Sequence, residues 1–157
     1  MNLKELAKFL VEAKKKTYAA EGKEIEPERK GFKELEYKKG KWYYRDSYTG
    51  FFLAPGQELV RYDGKPVWSM SYSGGMKEEF HDDIEFAKET FAFLKKALAG
   101  VEESRPFRGP ERLEEGEFLY VDESEGDIKQ FKGTEKIFYN DKEVFSQNYI
   151  GGLIKGK

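Results

Sequence analysis

The chain has 157 residues, no cysteine and a formal net charge of −2. Disulfides and thiolate metal sites are excluded, and no net positive field is available to draw the chain to nucleic acid. No apolar run is long enough to span a bilayer as a helix, and the charged opening lacks the apolar middle of a signal peptide.

Charged residues, mostly Lys and Glu, make up 37% of the chain, a surface of the kind thermophiles carry. The lack of cysteine fits a cytoplasmic location. Aromatics reach 16%, enough that strands must hold many of them and that some tyrosine rings are expected to line a surface or groove.

Asn2 with Glu5 resembles a capping box, and Leu3, Leu6, Leu10, Ala13 and Thr17 recur at three- and four-residue steps. They predict a helix over 3–20 with Gly22 as its stop. Lys14, Lys15 and Lys16 read as its solvated face. The stretch 21–31, charged and carrying Pro27, is a loop. Strands are predicted near 33–38, 41–48, 50–54, 57–62 and 65–73, with tight turns at Lys39-Gly40 and Asp63-Gly64. In the last of them Trp68, Met70 and Tyr72 share one face.

A second helix is expected over 83–99, opened by Asp82 with Glu85. Ile84, Ala87, Phe91, Leu94 and Leu98 form its stripe, and Gly100 is its stop. Phe86 and Phe93 lie off that stripe and predict deeper burial than the first helix has. A stiff loop, Arg105-Pro106-Phe107-Arg108-Gly109-Pro110, leads to strands near 111–115, 117–122, 127–132, 134–140 and 143–150.

The two runs of elements repeat one another. Tyr62 to Met76 reads YDGKPVWSMSYSGGM and Tyr139 to Leu153 reads YNDKEVFSQNYIGGL, in register 77 positions apart. Gly40 to Asp46 matches Gly116 to Asp122 at 76 positions, and one inserted residue before Gly133 restores the longer offset. The expected fold is therefore α+β: one domain, 1–157, built as an internal duplication of a helix-plus-antiparallel-strands unit. The two repeats, about 1–78 and 79–157, are related by a pseudo-twofold axis, with the helices on the concave or inner face.

Candidate chemistry is sparse. In Tyr44-Arg45-Asp46-Ser47-Tyr48 the second repeat keeps only the tyrosine and aspartate, so Arg45 and Tyr48 are candidates for a site rather than for folding. A guanidinium fork grips anionic or planar groups, and tyrosine stacks on them. The alternative is that Arg45 pairs with a nearby acid and the tyrosines cover the sheet. Arg108, in its proline-stiffened loop, loses little entropy on binding a ligand, whereas the simpler account has that loop packing Phe107.

Ser69 and Ser146 lack a nucleophile elbow, and His81 at a helix start reads better as part of a cap than as a base. The acidic run 122–127 lacks the spacing of a calcium loop and reads as a hairpin. No helix starts directly after Gly151-Gly152, which argues against a phosphate cradle.

Five segments carry a resemblance: Tyr43 to Tyr48, Gly56-Gln57-Glu58, Lys65 to Met70, Pro106 to Pro110 and Tyr149 to Ile154. On them the chain resembles an uncharacterised domain family of bacteria and archaea. Some of its relatives sit behind a helix-turn-helix of the XRE regulator type. That resemblance implies an effector-sensing or oligomerising role. The chain opens directly on its first helix, so direct DNA regulation is not expected of it.

The leading expectation is a module binding a small, planar or anionic molecule. Arg45 and Arg108 would supply charged contacts, Tyr44, Tyr48, Trp68 and Tyr72 aromatic walls, and Asp46 orientation. A protein-interaction or homodimerisation module whose aromatic edge strands associate is the second reading. A hydrolase using Asp46 with Arg45 or His81 is the third. No cofactor, metal, nucleic-acid or membrane partner is expected.

Overall fold

A computed structural model describes residues 2–19 and 22–156. Helix α1, Leu3–Lys16, is capped by Asn2, whose side chain accepts from the Lys4 amide at 3.0 Å. The predicted extension fails at Thr17–Ala19, a turn, and Ala20 lies outside the described residues. Helix α2, Ile84–Leu98, is capped by Asp83 rather than Asp82: its carboxylate accepts from the Phe86 amide at 3.0 Å.

Eight strands form one antiparallel sheet: β1 Lys33–Lys39, β2 Trp42–Tyr48, β3 Gly56–Tyr62, β4 Lys65–Met76, β5 Arg112–Glu115, β6 Phe118–Asp127, β7 Gln130–Tyr139 and β8 Lys142–Leu153. Their order is β1-β2-β3-β4-β8-β7-β6-β5. Two consecutive four-strand meanders thus join through their last strands, β4 against β8, with Tyr72 opposite Tyr149.

Three strand predictions differ from this. The run 122–127, read as a hairpin after a strand ending at 122, continues β6 to Asp127, and the turn falls at Ile128-Lys129. The segment 50–54 is a loop with only an isolated bridge from Leu53 to Gly75, since Gly50 turns the chain at φ 92°. The two strands predicted over 127–132 and 134–140 are one strand, β7, running through Gly133.

Alternation places one face of the sheet under the helices. Against α1 pack Tyr44, Val60, Trp68, Met70, Tyr72 and Tyr149, joined by Phe107 and Phe131. Against α2 pack Tyr120, Ile137, Val144 and Phe145. The other face carries Ser71, Lys132, Asn148 and Ile150, all exposed. The edge strands, KELEYKK and RLEE, are charged, which discourages pairing with another sheet. Among the described residues no helix is long and apolar enough to cross a membrane.

Both meanders place a tyrosine over a glycine. A Cβ on Gly56 would lie 2.4 Å from the Tyr72 ring, and one on Gly133 would lie 2.3 Å from the Tyr149 ring. Glycine is needed there because no side chain fits beneath the ring. Each tyrosine then reaches an aspartate: Tyr72 donates to Asp46 at 2.7 Å and Tyr149 to Asp122 at 2.8 Å.

Candidate functional site

Period-two alternation along β2 sends Tyr44, Asp46 and Tyr48 to the helix-covered face and Arg45 to the opposite one. There Arg45 pairs with Glu28 and lies 3.4 Å from Glu34, the acid neighbours of the simpler reading. It also lies over the Tyr43 ring, 5.8 Å from its centroid. Tyr44 and Trp68 are fully buried in the core, so neither ring is open to a ligand. Asp46, also buried, is held behind Tyr72.

The other three candidates meet. Tyr48, Tyr72 and Arg108 border one cleft of about 720 Å³. It lies between α2, the end of α1 and the 49–55 loop, with β4 and β8 as its floor. Phe91 and Lys95 enter it from α2, Phe51 and Ala54 from the loop, and Gln147 from β8. Phe51 meets Phe91 edge to face at 5.4 Å, closing one side of the mouth. Exposed Lys33, Lys88, Lys95 and Lys96 line the cleft, with Glu24 as the acid among its lining residues. Among the described residues Lys95 makes no ion pair, whereas Lys88 pairs with Glu85 at 2.8 Å.

Beneath the cleft runs a buried polar network. Arg108 donates to Glu135 from Nε at 2.8 Å, and its Nη2 lies 2.7 Å from the same oxygen. Its Nη1 is 3.8 Å from Glu58, which is paired with Lys14. Glu135 also accepts from Tyr120 and from Gln147, each at 2.7 Å. Arg105 meets Asp122 at 2.9 Å. The Arg108 guanidinium lies 5.3 Å from the Tyr72 ring centroid and 5.8 Å from that of Tyr18. The 105–110 loop therefore ties β3, through Glu58, to β7, through Glu135.

Four carboxyl groups (Asp46, Glu58, Asp122, Glu135) face three basic groups (Lys14, Arg105, Arg108). Burial, then the nearby Glu58, raises Asp46 to about 7, against the pull of the Tyr72 hydrogen bond. Burial and Glu135 raise Asp122 to about 6. Burial lowers Lys14, with Glu58 acting against it. Burial also opposes the Arg108 charge, but Glu135 more than offsets this and its pKa is raised. A proton retained on Asp46 near neutrality brings the network toward charge balance.

Sequence reasoning put Lys14 on the solvated face of α1, but it is buried and paired with Glu58, and it passed over Arg105, Ala54, Phe91, Lys95 and Gln147 as site residues. Lys14 had a signal: it follows Leu10 by four residues and so shares the buried stripe. Arg105 sat in the flagged loop. Phe91 and Lys95 had none, because the cleft-facing side of α2 depends on how the helix docks.

The remaining candidates have structural partners. His81 lies 3.0 Å from the Met76 carbonyl and stacks on Phe52. Ser69 donates to the Glu58 carbonyl at 2.9 Å. The run 122–127 lies in β6, and among the described residues no cluster of three or more His, Cys, Asp or Glu is placed to hold a metal. No curated protein and no solved structure matches the chain. The family described as "Domain of unknown function (DUF5680)" matches residues 46–154, which hold β3 to β8, α2 and most of the cleft, and the chain belongs to that family.

Proposed function

We propose that the cleft binds a small organic anion and that the chain is one domain made of two diverged copies of a helix-plus-strands unit. The observation that carries the binding reading is the meeting of Tyr48, Tyr72 and Arg108, from three separate segments, on one cleft. Its volume is typical of small-molecule sites, and its apolar walls with a few polar groups are the usual composition. Lys95 at its margin, without an ion pair among the described residues, favours a negative charge, with Lys33, Lys88 and Lys96 beside it paired only to the exposed Glu24, Glu85 and Glu115. Arg108, fixed by Glu135, is pre-organised rather than mobile. In a chain fused to a regulator this would be effector sensing, as the resemblance implies.

Duplication is supported by the strand order and by matched details. Gly40 and Gly116 both turn at φ 58°, and Gly50 and Gly126 both at φ 92°. The registers break at equivalent places, Val60/Arg61 and Ile137/Phe138.

The other two readings draw less support. The edge strands carry mostly lysine, arginine and glutamate, and their single aromatic, Tyr37, packs against Phe9, which weighs against edge-to-edge dimers. No Ser, Thr, Cys or His is among the described residues lining the cleft, which weighs against a hydrolase. Isothermal titration against a panel of small organic anions tests the proposal. A member should bind, Lys88→Glu with Lys95→Glu should weaken it at least tenfold, and Lys132→Glu on the far face should not. No binding, or equal loss in Lys132→Glu, would refute it.

A further inference from the structure

The cleft lies where the second meander holds a phenylalanine. Leu53 bridges Gly75 as Gln130 pairs with Gly152, so Ala54 and Phe131 hold equivalent places. The Ala54 amide donates to the Gly74 carbonyl, and Phe131 pairs with Gly151. A Cβ on Gly74 would lie 2.2 Å from the Ser146 carbonyl oxygen, and one on Gly151 would lie 2.4 Å from that of Ser69.

The occupants differ. The Phe131 ring is buried, stacked on Phe107 at 3.9 Å and on Trp68 at 5.6 Å, and lies 6.2 Å from Tyr149. Its Cζ is 2.7 Å from where a Gly151 Cβ would be. Across the sheet Phe145 stands for Trp68, Tyr72 for Tyr149 and Gly74 for Gly151. At the centre Ala54 offers only a methyl group. Ala54, Phe145, Tyr72 and Gly74 all line the cleft.

We infer that the inner end of the cleft is a vacated phenylalanine site, and that the ligand's group filling it is an aromatic ring whose acid reaches the lysines at the mouth. The ligand class is an aryl-substituted carboxylic acid. Three of the neighbours that hold the ring in the second meander have counterparts in the first; Phe107 has none, and Phe91, meeting Phe145 edge to face at 6.4 Å, supplies an aromatic wall instead. This inference rests on the anion-binding reading.

The probes are 3-phenylpropionate and 3-cyclohexylpropionate, titrated calorimetrically into the wild type and Ala54→Phe. The phenyl acid should bind several-fold tighter than its saturated counterpart. Ala54→Phe, which supplies the missing ring internally, should weaken it more than tenfold while Tm is kept or raised. Equal affinity for the two acids, or wild-type affinity in Ala54→Phe, would overturn the ring site and leave anion binding standing. Failure of the wild type to bind any organic anion would refute the anion-binding reading and this inference with it. Should Ala54→Phe not fold, nuclear Overhauser contacts between the labelled Ala54 methyl and the bound phenyl ring decide the matter in the wild type. Their presence supports the site and their absence rejects it.

Discussion

Glu135→Gln is expected to be among the most destabilising isosteric changes in the chain. Glu135 is fully buried and accepts from the Arg108 Nε at 2.8 Å, from Tyr120 at 2.7 Å and from Gln147 at 2.7 Å. The amide keeps the shape and one acceptor oxygen but removes the charge. Arg108 would then have only Glu58, at 3.8 Å, as its ionic partner. Breaking a buried pair from one side costs about 3–5 kcal/mol, because the partner's charge stays desolvated. At about 2–4 °C per kcal/mol for a chain of this size, Tm should fall by roughly 6–20 °C. Removing the exposed Lys88–Glu85 pair should cost under about 1 kcal/mol.

Urea unfolding with calorimetry measures both. Adding Arg108→Met to Glu135→Gln removes the stranded charge and should recover part of the loss. A loss below about 1 kcal/mol for the single variant, or a double variant no better than it, would refute the reasoning.

Stability should fall as pH rises from about 4 to about 7. Asp46 and Asp122 have folded pKa values above their unfolded ones, so the native state binds more protons across that window and the slope is negative. Below it, Glu12 and Glu143, both lowered by hydrogen bonds to lysine, act in the opposite sense. Asp46→Asn keeps an acceptor for Tyr72 and should flatten the slope in chemical denaturation between pH 4 and 7; an unchanged slope contradicts this. Gly56→Ala and Gly133→Ala should each cost about 1–3 kcal/mol by driving a Cβ into a tyrosine ring. Unequal effects on Tm would argue against equivalent repeats. Asp141 turns at φ 65°, and Asp141→Gly should stabilise by about 1 kcal/mol, since glycine carries no left-handed penalty. A drop in Tm would contradict it.

Local chemistry made much of the fold legible. The Asn2 cap, the turn at Asp63-Gly64, and the shared face of Trp68, Met70 and Tyr72 all follow from spacing and turn preference, while the turn expected at Lys39-Gly40 falls one residue later, at Gly40-Lys41. The break predicted near Gly133 failed because that glycine serves a ring on the neighbouring strand, not a turn. Aromatic residues in the run 50–54 suggested a strand, but Phe51 walls the cleft and Phe52 packs on His81.

For the site, alternation along β2 already separated Arg45 from Tyr44, Asp46 and Tyr48, yet proximity in sequence had grouped them. The convergence of Tyr48, Tyr72 and Arg108 depends on β4 meeting β8 and on the docking of the 105–110 loop. Neither follows from local periodicity.

The most direct test of the central claim is mapping of resonance shifts while 3-phenylpropionate is added to the labelled protein. The account predicts shifts concentrated at Tyr48, Ala54, Tyr72, Phe91 and Lys95, saturating together. Shifts centred on Tyr43 and Arg45 across the sheet, or none at any concentration, would contradict it.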